Sequence, residues 1–410
     1  MASSDAGRTA AEVRERQPER ELTPGLVALL AGLAAIGILC TNILLPAFPA
    51  IAASLGTPQR ALGVTLSSFF LVFAFGQLIA GPLADRYGRQ KPVAAGLCVF
   101  LAGSLVCGLA GDLATLVAGR VLQAAGACVA SVLARAIARD LFDGDMLAKA
   151  MSMIMVAMAA APGFSPLVGG VAATWLDWRI LFVIVSAAAA ALLLFHAAVL
   201  GETLPPPARR PFSLAGVART YAGLAADGRF ILPALAVSMI IGGLYGTFAA
   251  APIILMSEVG MTPVGYGLFS AVTVFIVFGA GLLAPRLAHR YGPLRPATGG
   301  AILVAAGGVL MLAFYRTGEL WTYAPPLAVF LLGMGMANPL GSAIALRPFG
   351  DRAGAAAALL GFLQMATAAA ATGVAAALPL APAPVLALLQ LAGGAGALAL
   401  FVTLARSGAR

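Results

Sequence analysis

Charge is what this sequence of 410 residues has least of. Asp, Glu, Lys and Arg together make up 10% of it, where a soluble domain carries about 25%. A water-facing surface for so long a chain cannot be built from so few charges, and a soluble globular protein is excluded. Cysteine is also scarce. Cys40, Cys98, Cys107 and Cys128 all fall inside apolar stretches and none forms a CxxC pair, so no zinc cluster or disulfide framework follows. They read as small buried hydrophobes. The two histidines, His196 and His289, are too far apart in sequence to argue for a metal site. The GxxxxGK[ST] loop of a nucleotide-driven pump is missing. Also missing from the apolar stretches is any HExxH, paired-carboxylate or Ser/His/Asp set that would argue for an enzyme. No cofactor and no metal are expected.

Long apolar runs take the place of charge. Hydrophobic residues make up 61% of the chain and the mean hydropathy is +0.98. A bilayer core requires about 20 mostly apolar residues per helix. Runs of that kind lie near residues 25–47, 60–83, 92–110, 113–136, 148–173 and 179–200, then near 230–256, 264–287, 295–315, 321–345, 353–377 and 382–404. The chain is therefore expected to be an all-α membrane protein with twelve transmembrane helices. Its net charge of +9 does not indicate a nucleic-acid partner, because the basic residues recur at intervals between the apolar runs instead of forming one patch.

The placement of those basic residues sets an expected topology. With the N-terminus cytoplasmic, 21 of the 25 Lys and Arg fall in inside segments, and only Arg60, Arg179 and Arg316 fall outside. Such a bias places both termini in the cytoplasm and favours an even number of spans. Residues 1–21 are polar and mixed in charge, and read as a disordered cytoplasmic tail rather than a cleaved signal. Residues 202–229 open with consecutive prolines, Pro205-Pro206-Pro207, which no helix interior tolerates. That segment is read as a cytoplasmic linker between six-helix halves at 22–201 and 230–405, with 406–410 as a second tail. A repeat supports the division. Ala84-Asp85-Arg86-Tyr87-Gly88-Arg89-Gln90-Lys91-Pro92 and Ala288-His289-Arg290-Tyr291-Gly292-Pro293-Leu294-Arg295-Pro296 both fit A-x-R-Y-G-x-x-[K/R]-P, about half a chain apart. Parallel repeats of this kind are a transporter architecture, with the substrate site between the halves near the midplane.

These residues resemble the major facilitator superfamily, and within it the drug:proton antiporters of the Bcr/CflA (bicyclomycin and chloramphenicol resistance) type. Gly81-Pro82-Leu83-Ala84-Asp85-Arg86-Tyr87-Gly88-Arg89 looks like the superfamily's loop motif. Arg120-Val121-Leu122-Gln123 looks like its fourth-span motif, linked to proton coupling. Ala161-Pro162-Gly163-Phe164-Ser165-Pro166 through Gly169-Gly170 looks like the fifth-span exporter motif, with Ser165 where a smaller residue is usual. Leu45-Pro46-Ala47-Phe48-Pro49, Glu202-Thr203-Leu204-Pro205 and the stretch from Arg352 to Gln364 match the subgroup as well.

The resemblance implies a monomeric, multi-pass transporter of the bacterial inner membrane that exports small molecules, with protons as the coupling ion. It gives Asp85, Arg86 and Arg89 a gating role, with Gly81 and Gly88 allowing the turn and close approach. It links Asn42, Arg120 and Gln123 to coupling or substrate, and the five residues Pro162, Gly163, Pro166, Gly169 and Gly170 to sealing the cavity during export. Phe69, Phe73, Tyr245, Phe248, Asn338 and Gln364 lie in spans expected to line that cavity. One departure stands out. The subgroup often has a carboxylate in its first span, and here the position is Asn42, an amide that cannot carry a proton. No acidic residue lies deep in any run, which leaves Asp85 as the best remaining proton carrier. Polyvalent cations are disfavoured as cargo for the same reason, and neutral or weakly polar drugs fit better. A metabolite, amino-acid or peptide exporter of the same fold, an uncoupled facilitator and, remotely, a membrane enzyme or scaffold remain as alternatives.

Overall fold

A computed structural model describes residues 22–209 and 213–407. The expected N-terminal tail and the last residues of the C-terminal one lie outside them. Among the described residues there are helices and turns but no strand. The first six long helices are α1 (Pro24–Asn42), α2 (Gly63–Tyr87), α3 (Gln90–Gly108), α4 (Leu113–Leu141), α5 (Gly144–Trp175) and α6 (Ile180–Val199). The second six are α7 (Gly228–Pro252), α8 (Pro263–Tyr291), α9 (Leu294–Phe314), α10 (Leu320–Leu346), α11 (Ala353–Ala377) and α12 (Pro382–Ser407).

Continuity alone counts 11 membrane-length helices, because Leu320–Ala377 runs as one helical segment of 58 residues. A straight helix of that length would reach about 87 Å, nearly three times the roughly 30 Å of a bilayer core. The segment turns back on itself at Phe349, whose φ of −117° and ψ of 39° are not helical. It therefore supplies two spans, α10 and α11.

Local chemistry explains most boundaries. Thr23 accepts from the Leu26 amide, and Thr262 from that of Gly265, to cap α1 and α8. Asp112 accepts from the backbone N–H of Thr115 at 2.8 Å; its acid sits on the positive end of α4. After α1 the chain keeps its direction but changes its ladder. Pro46 and Pro49 lack the N–H an α-helix needs, and each opens a new element, the 3-10 turn Leu45–Ala47 and the short helix Phe48–Leu55. The linker is more ordered than its prolines suggest. A helix, Leu214–Ala226, forms within it, and the Ser213 side chain caps it.

The helices pack as two pseudo-symmetric bundles of six. Helix α4 packs on α1, α2 and α3, while α10 packs on α7, α8 and α9. Likewise α1 packs on α5 and α6, and α7 on α11 and α12. Two seams join the halves, α2 against α11 and α5 against α8, and these are equivalent under the same exchange. The repeat extends to backbone contacts. A Cβ on Gly96 or Gly103 of α3 would strike α4, and one on Gly300 or Gly307 of α9 would strike α10. Each pair is separated by the same interval as Arg86 and Arg290. Without a hydrophobic drive between helices in lipid, such close approach is what holds them together.

Gly126 of α4 faces the carbonyl oxygen of Gly96 and the backbone of Phe100. Gly126→Leu is expected to destabilise the bundle by about 2–3 kcal/mol, read as a lower melting temperature of the detergent-solubilised protein. Gly81→Ala, at a glycine with open space around it, is expected to leave the melting temperature unchanged.

Candidate functional site

The end of the molecule that carries the basic loops holds a polar cluster built on Arg89. Gly88 ends α2 with φ of +88°, a conformation that favours glycine, and a Cβ there would also strike the Glu202 carboxylate. The turn aims Arg89 inward. Its guanidinium donates to Asp85 Oδ1 at 2.8 Å and to Asp140 Oδ2 at 2.9 Å, and its amide donates to Glu202 Oε1 at 2.7 Å. Thr203 donates to Asp140 at 3.2 Å, and Arg209 pairs with Glu202 at 3.5 Å. Burial opposes the charge on Arg89, but Asp140 and Asp85 outweigh it and hold its pKa above the ordinary value. Helix α2, the end of α4 and the start of the linker are thus tied to one residue, the first two through its guanidinium and the third through its amide.

Arg86, expected beside Asp85, is exposed and lies over the Tyr87 ring at 5.1 Å. Arg290 repeats this over Tyr291 at 5.3 Å, and Gly292 repeats the turn with φ of +76°. The charges are not repeated: His289, Pro293 and Ile344 stand where Asp85, Arg89 and Asp140 stand in the first half. The backbone turn belongs to both halves and the ion cluster to one.

The second polar cluster lies inside the bundle. Arg120 starts two turns into α4 and is fully buried, as is Gln123; it does not snorkel to the interface. Its guanidinium donates to Gln123 Oε1 at 2.7 Å, to Thr41 Oγ1 at 3.1 Å and to the Cys40 carbonyl at 3.3 Å. The Phe69 ring lies 4.3 Å below it. Gln123 in turn donates to Ser104 Oγ at 2.7 Å. Every partner is a neutral dipole. No described carboxylate pairs with Arg120, and its Nε has no partner. Asn42 is next to Thr41 in sequence and buried; its amide donates to the Ile38 carbonyl at 2.9 Å, and its Oδ1 has no partner. A charge at this depth costs about 2.5–3.5 kcal/mol. Hydrogen bonds to a charged group, worth about 1.5–3 kcal/mol each, offset it.

The aromatic residues form a bridge between the halves. Phe69 and Phe73 stack at 5.9 Å, Tyr245 meets Phe248 at 5.4 Å, and Phe70 of α2 meets Tyr245 of α7 at 4.4 Å. Phe70, which periodicity did not single out, completes the bridge. Gln364 donates to Asn338 at 3.4 Å, joining α11 to α10.

Of the fifth-span glycines, Gly163 and Gly170 lie on the seam and Gly169 faces α1 in its own half. A Cβ on Gly169 would strike the Ile43 carbonyl beside α1, on Gly170 the Pro263 carbonyl, and on Gly163 the Val274 side chain of α8. Pro162 and Pro166 sit within a continuous α5. At this end the halves are shut. Ser257 donates to Gln59 across them at 2.8 Å, and Gly63 of α2 abuts Ala376 of α11. At the basic end they part around a cavity of about 780 Å³ lined by Gln77, Asp85, Arg135, Arg139, Tyr221 and Arg352, among others. None of the six residues expected to line the cavity lines this one. Gly81, Asp85 and Arg89 do. The Tyr221 hydroxyl donates to the Leu78 carbonyl at 3.0 Å, laying the linker helix across the mouth. Burial and the charge of Asp85 push its pKa up to about 12.

Comparison with known proteins follows the same lines. The family model described as Major Facilitator Superfamily matches residues 30–372. The chain is 31% identical to "Uncharacterized MFS-type transporter YdgK" of Bacillus subtilis, over 83% of this chain and 85% of that one. It is 28% identical to "Multidrug resistance protein D" of Escherichia coli, over 84% and 87%. It is 30% identical to "Multidrug resistance protein MdtL" of Salmonella typhimurium, over 79% and 81%. Among solved structures, a peptide transporter POT in complex with sulfate superposes with a TM-score of 0.76 at 14% identity, covering 98% of this chain and 99% of that one. The human organic anion transporter MFSD10 superposes with a TM-score of 0.71 at 17% identity, covering 94% and 100%. At such identities the shared property is the fold.

The two acids on Arg89 differ in burial, with side-chain exposure of 11% for Asp140 and 45% for Asp85. Asp140→Asn is expected to cost about 3 kcal/mol of stability and Asp85→Asn about 1 kcal/mol or less, compared by thermal unfolding of the purified variants. Equal losses would contradict the cluster's organisation around the Arg89–Asp140 pair.

Proposed function

The chain belongs to the Major Facilitator Superfamily, and from that premise we propose that it is a secondary efflux transporter of the Bcr/CflA type in a bacterial inner membrane. Both termini are cytoplasmic, the basic end faces the cytoplasm, and the protein works as a monomer. It takes small, mostly neutral or weakly polar drugs from the inner side and releases them outside by alternating access, in exchange for protons. One observation carries this reading. The two halves are sealed at the end opposite the basic loops, along a seam whose closeness depends on Gly163 and Gly170, and part around a cavity at the basic end. That is the state in which an exporter loads. Two of the relatives above bear the name multidrug resistance protein, and all three are bacterial. The 21 basic residues on one side support the orientation.

In this reading the Arg89 cluster is a latch. Asp85 lies at the cavity edge and is the half-exposed member of the pair, so it is the one placed to exchange a proton. Losing its charge frees Arg89 on one side and biases the halves. The aromatic bridge Phe70–Tyr245 offers stacking surface between them. The alternative, an uncoupled facilitator or a metabolite, amino-acid or peptide exporter, is favoured by one feature: the position beside the Leu-Pro string is Asn42, and no described acid lies near Arg120.

The test uses inverted membrane vesicles, an imposed proton gradient, a pH-sensitive dye and a panel of drug-sized compounds. Proton release that depends on the added compound is the expected result, and Asp85→Asn is expected to reduce it about fivefold or more with the protein still in the membrane. Normal efflux in that variant would remove Asp85 from the mechanism. Uptake of compound with no proton movement would favour the uncoupled alternative.

A further inference from the structure

The cavity at the basic end contains more positive charge than its own carboxylates can pair. Four arginines line it, Arg89, Arg135, Arg139 and Arg352, against three acids, Asp85, Asp140 and Asp351. All three acids are already committed. Asp85 and Asp140 pair with Arg89, and Asp351 pairs with Arg352 at 3.2 Å. Arg135 and Arg139 make no ion pair or hydrogen bond among the described residues. They are four apart on α4 and so share one face, where like charges repel.

Nor is Arg135 a loop residue. It lies six residues inside the end of α4, about 9 Å along the helix, and it faces the space between the halves. Arg135 is half-buried and Arg139 exposed, and the repulsion between their two unpaired guanidiniums is relieved by a bound anion. The rest of the lining suits an organic body, since Pro82, Val132, Val217, Tyr221, Ala355 and Ala358 supply apolar surface. The volume of about 780 Å³ falls in the range of drug-sized pockets.

We infer that this cavity is a binding vestibule for an organic anion, a compound with an apolar body and a carboxylate held between Arg135 and Arg139. The inference rests on the exporter reading for its direction and departs from its neutral cargo in favour of an anionic one. The lack of a deep acid that disfavours cations also leaves the α4 arginines free for an anion.

Matched probes decide it: 2-naphthoate against 2-naphthamide, which have the same ring system and differ in charge. Binding to the purified full-length protein is followed by calorimetry and thermal shift. Naphthoate is expected to bind about tenfold more tightly than the amide, with affinity falling as salt is raised. The double variant Arg135→Gln, Arg139→Gln is expected to lose about that tenfold, and Arg135→Lys, Arg139→Lys to keep most of it, which separates loss of charge from loss of fold. Equal binding of the two probes, or naphthoate binding unchanged in the glutamine variant, overturns the inference. So does stabilisation by phosphatidylglycerol but not by naphthoate, lost in the glutamine variant, because the arginines would then serve a lipid headgroup. Transport of both probes in proteoliposomes is the separate arm. Export of the amide without naphthoate binding leaves the exporter and removes the anion site. Arginine-dependent naphthoate binding without export of either probe leaves the anion site and removes the exporter.

Discussion

Inside a bilayer a polar group finds only what the protein brings to it, and the residue that makes the greatest demand here is Arg120. Its guanidinium is fully buried, and four residues are arranged to receive it: Cys40 and Thr41 from the end of α1, Gln123 from its own helix, and the Phe69 ring from α2. Gln123 passes the network on to Ser104 of α3. Four helices of the first half therefore meet at one cation. Phe69 stacks on Phe73 and meets Phe70 edge-on, and Phe70 contacts Tyr245 of the second half. The charge that costs most is thus linked, through aromatic contacts, to the surface that must move if the halves rock against each other.

The seams combine close small-residue contacts with one aromatic pair each, Phe75 with Phe362 between α2 and α11 and Phe164 with Phe275 between α5 and α8. At Gly170 backbone meets the backbone of Pro263, and at Gly63 a glycine meets an alanine. Flat, close contacts of this kind resist lateral slip but can part along the whole face. At the basic end the linker helix is fastened to α2 through Tyr221 and the linker's start to α2 and α4 through Glu202 and Thr203. The charge cluster therefore ties the linker to the first half at the end where the cavity lies.

Much of this was legible in the sequence, for physical reasons. Apolar runs set the spans because the bilayer imposes a length, and the two copies of the A-x-R-Y-G string announced the pseudo-symmetry. Its glycines, Gly96 with Gly300 and Gly103 with Gly307, sat at the same interval and went unread, because a lone glycine in an apolar run carries no visible partner. Arg120 was conspicuous by its depth. Asp140 and Glu202 were not, because each sits at a helix end where an acid needs no explanation, and their partner Arg89 lies far off in the chain. Arg135 is likewise inconspicuous, because it counts among the basic residues of an inside segment, although it lines the space between the halves. The aromatic bridge was half visible: Phe69, Phe73, Tyr245 and Phe248 could be named, but only the packing shows that Phe70 joins them, and that the large cavity lies elsewhere.

The central claim is that the two halves exchange which end is closed. Spin labels can be placed across the α5–α8 seam, at Trp175 and Thr262 at the sealed end and at Lys149 and Arg290 at the basic end, with exposed Cys98 replaced by Ser. Pulsed double-resonance distances are then measured in nanodiscs with and without a transported compound. The expected result is that the first pair moves apart as the second closes. Distances that stay fixed, or that lengthen and shorten together at both ends, would contradict it.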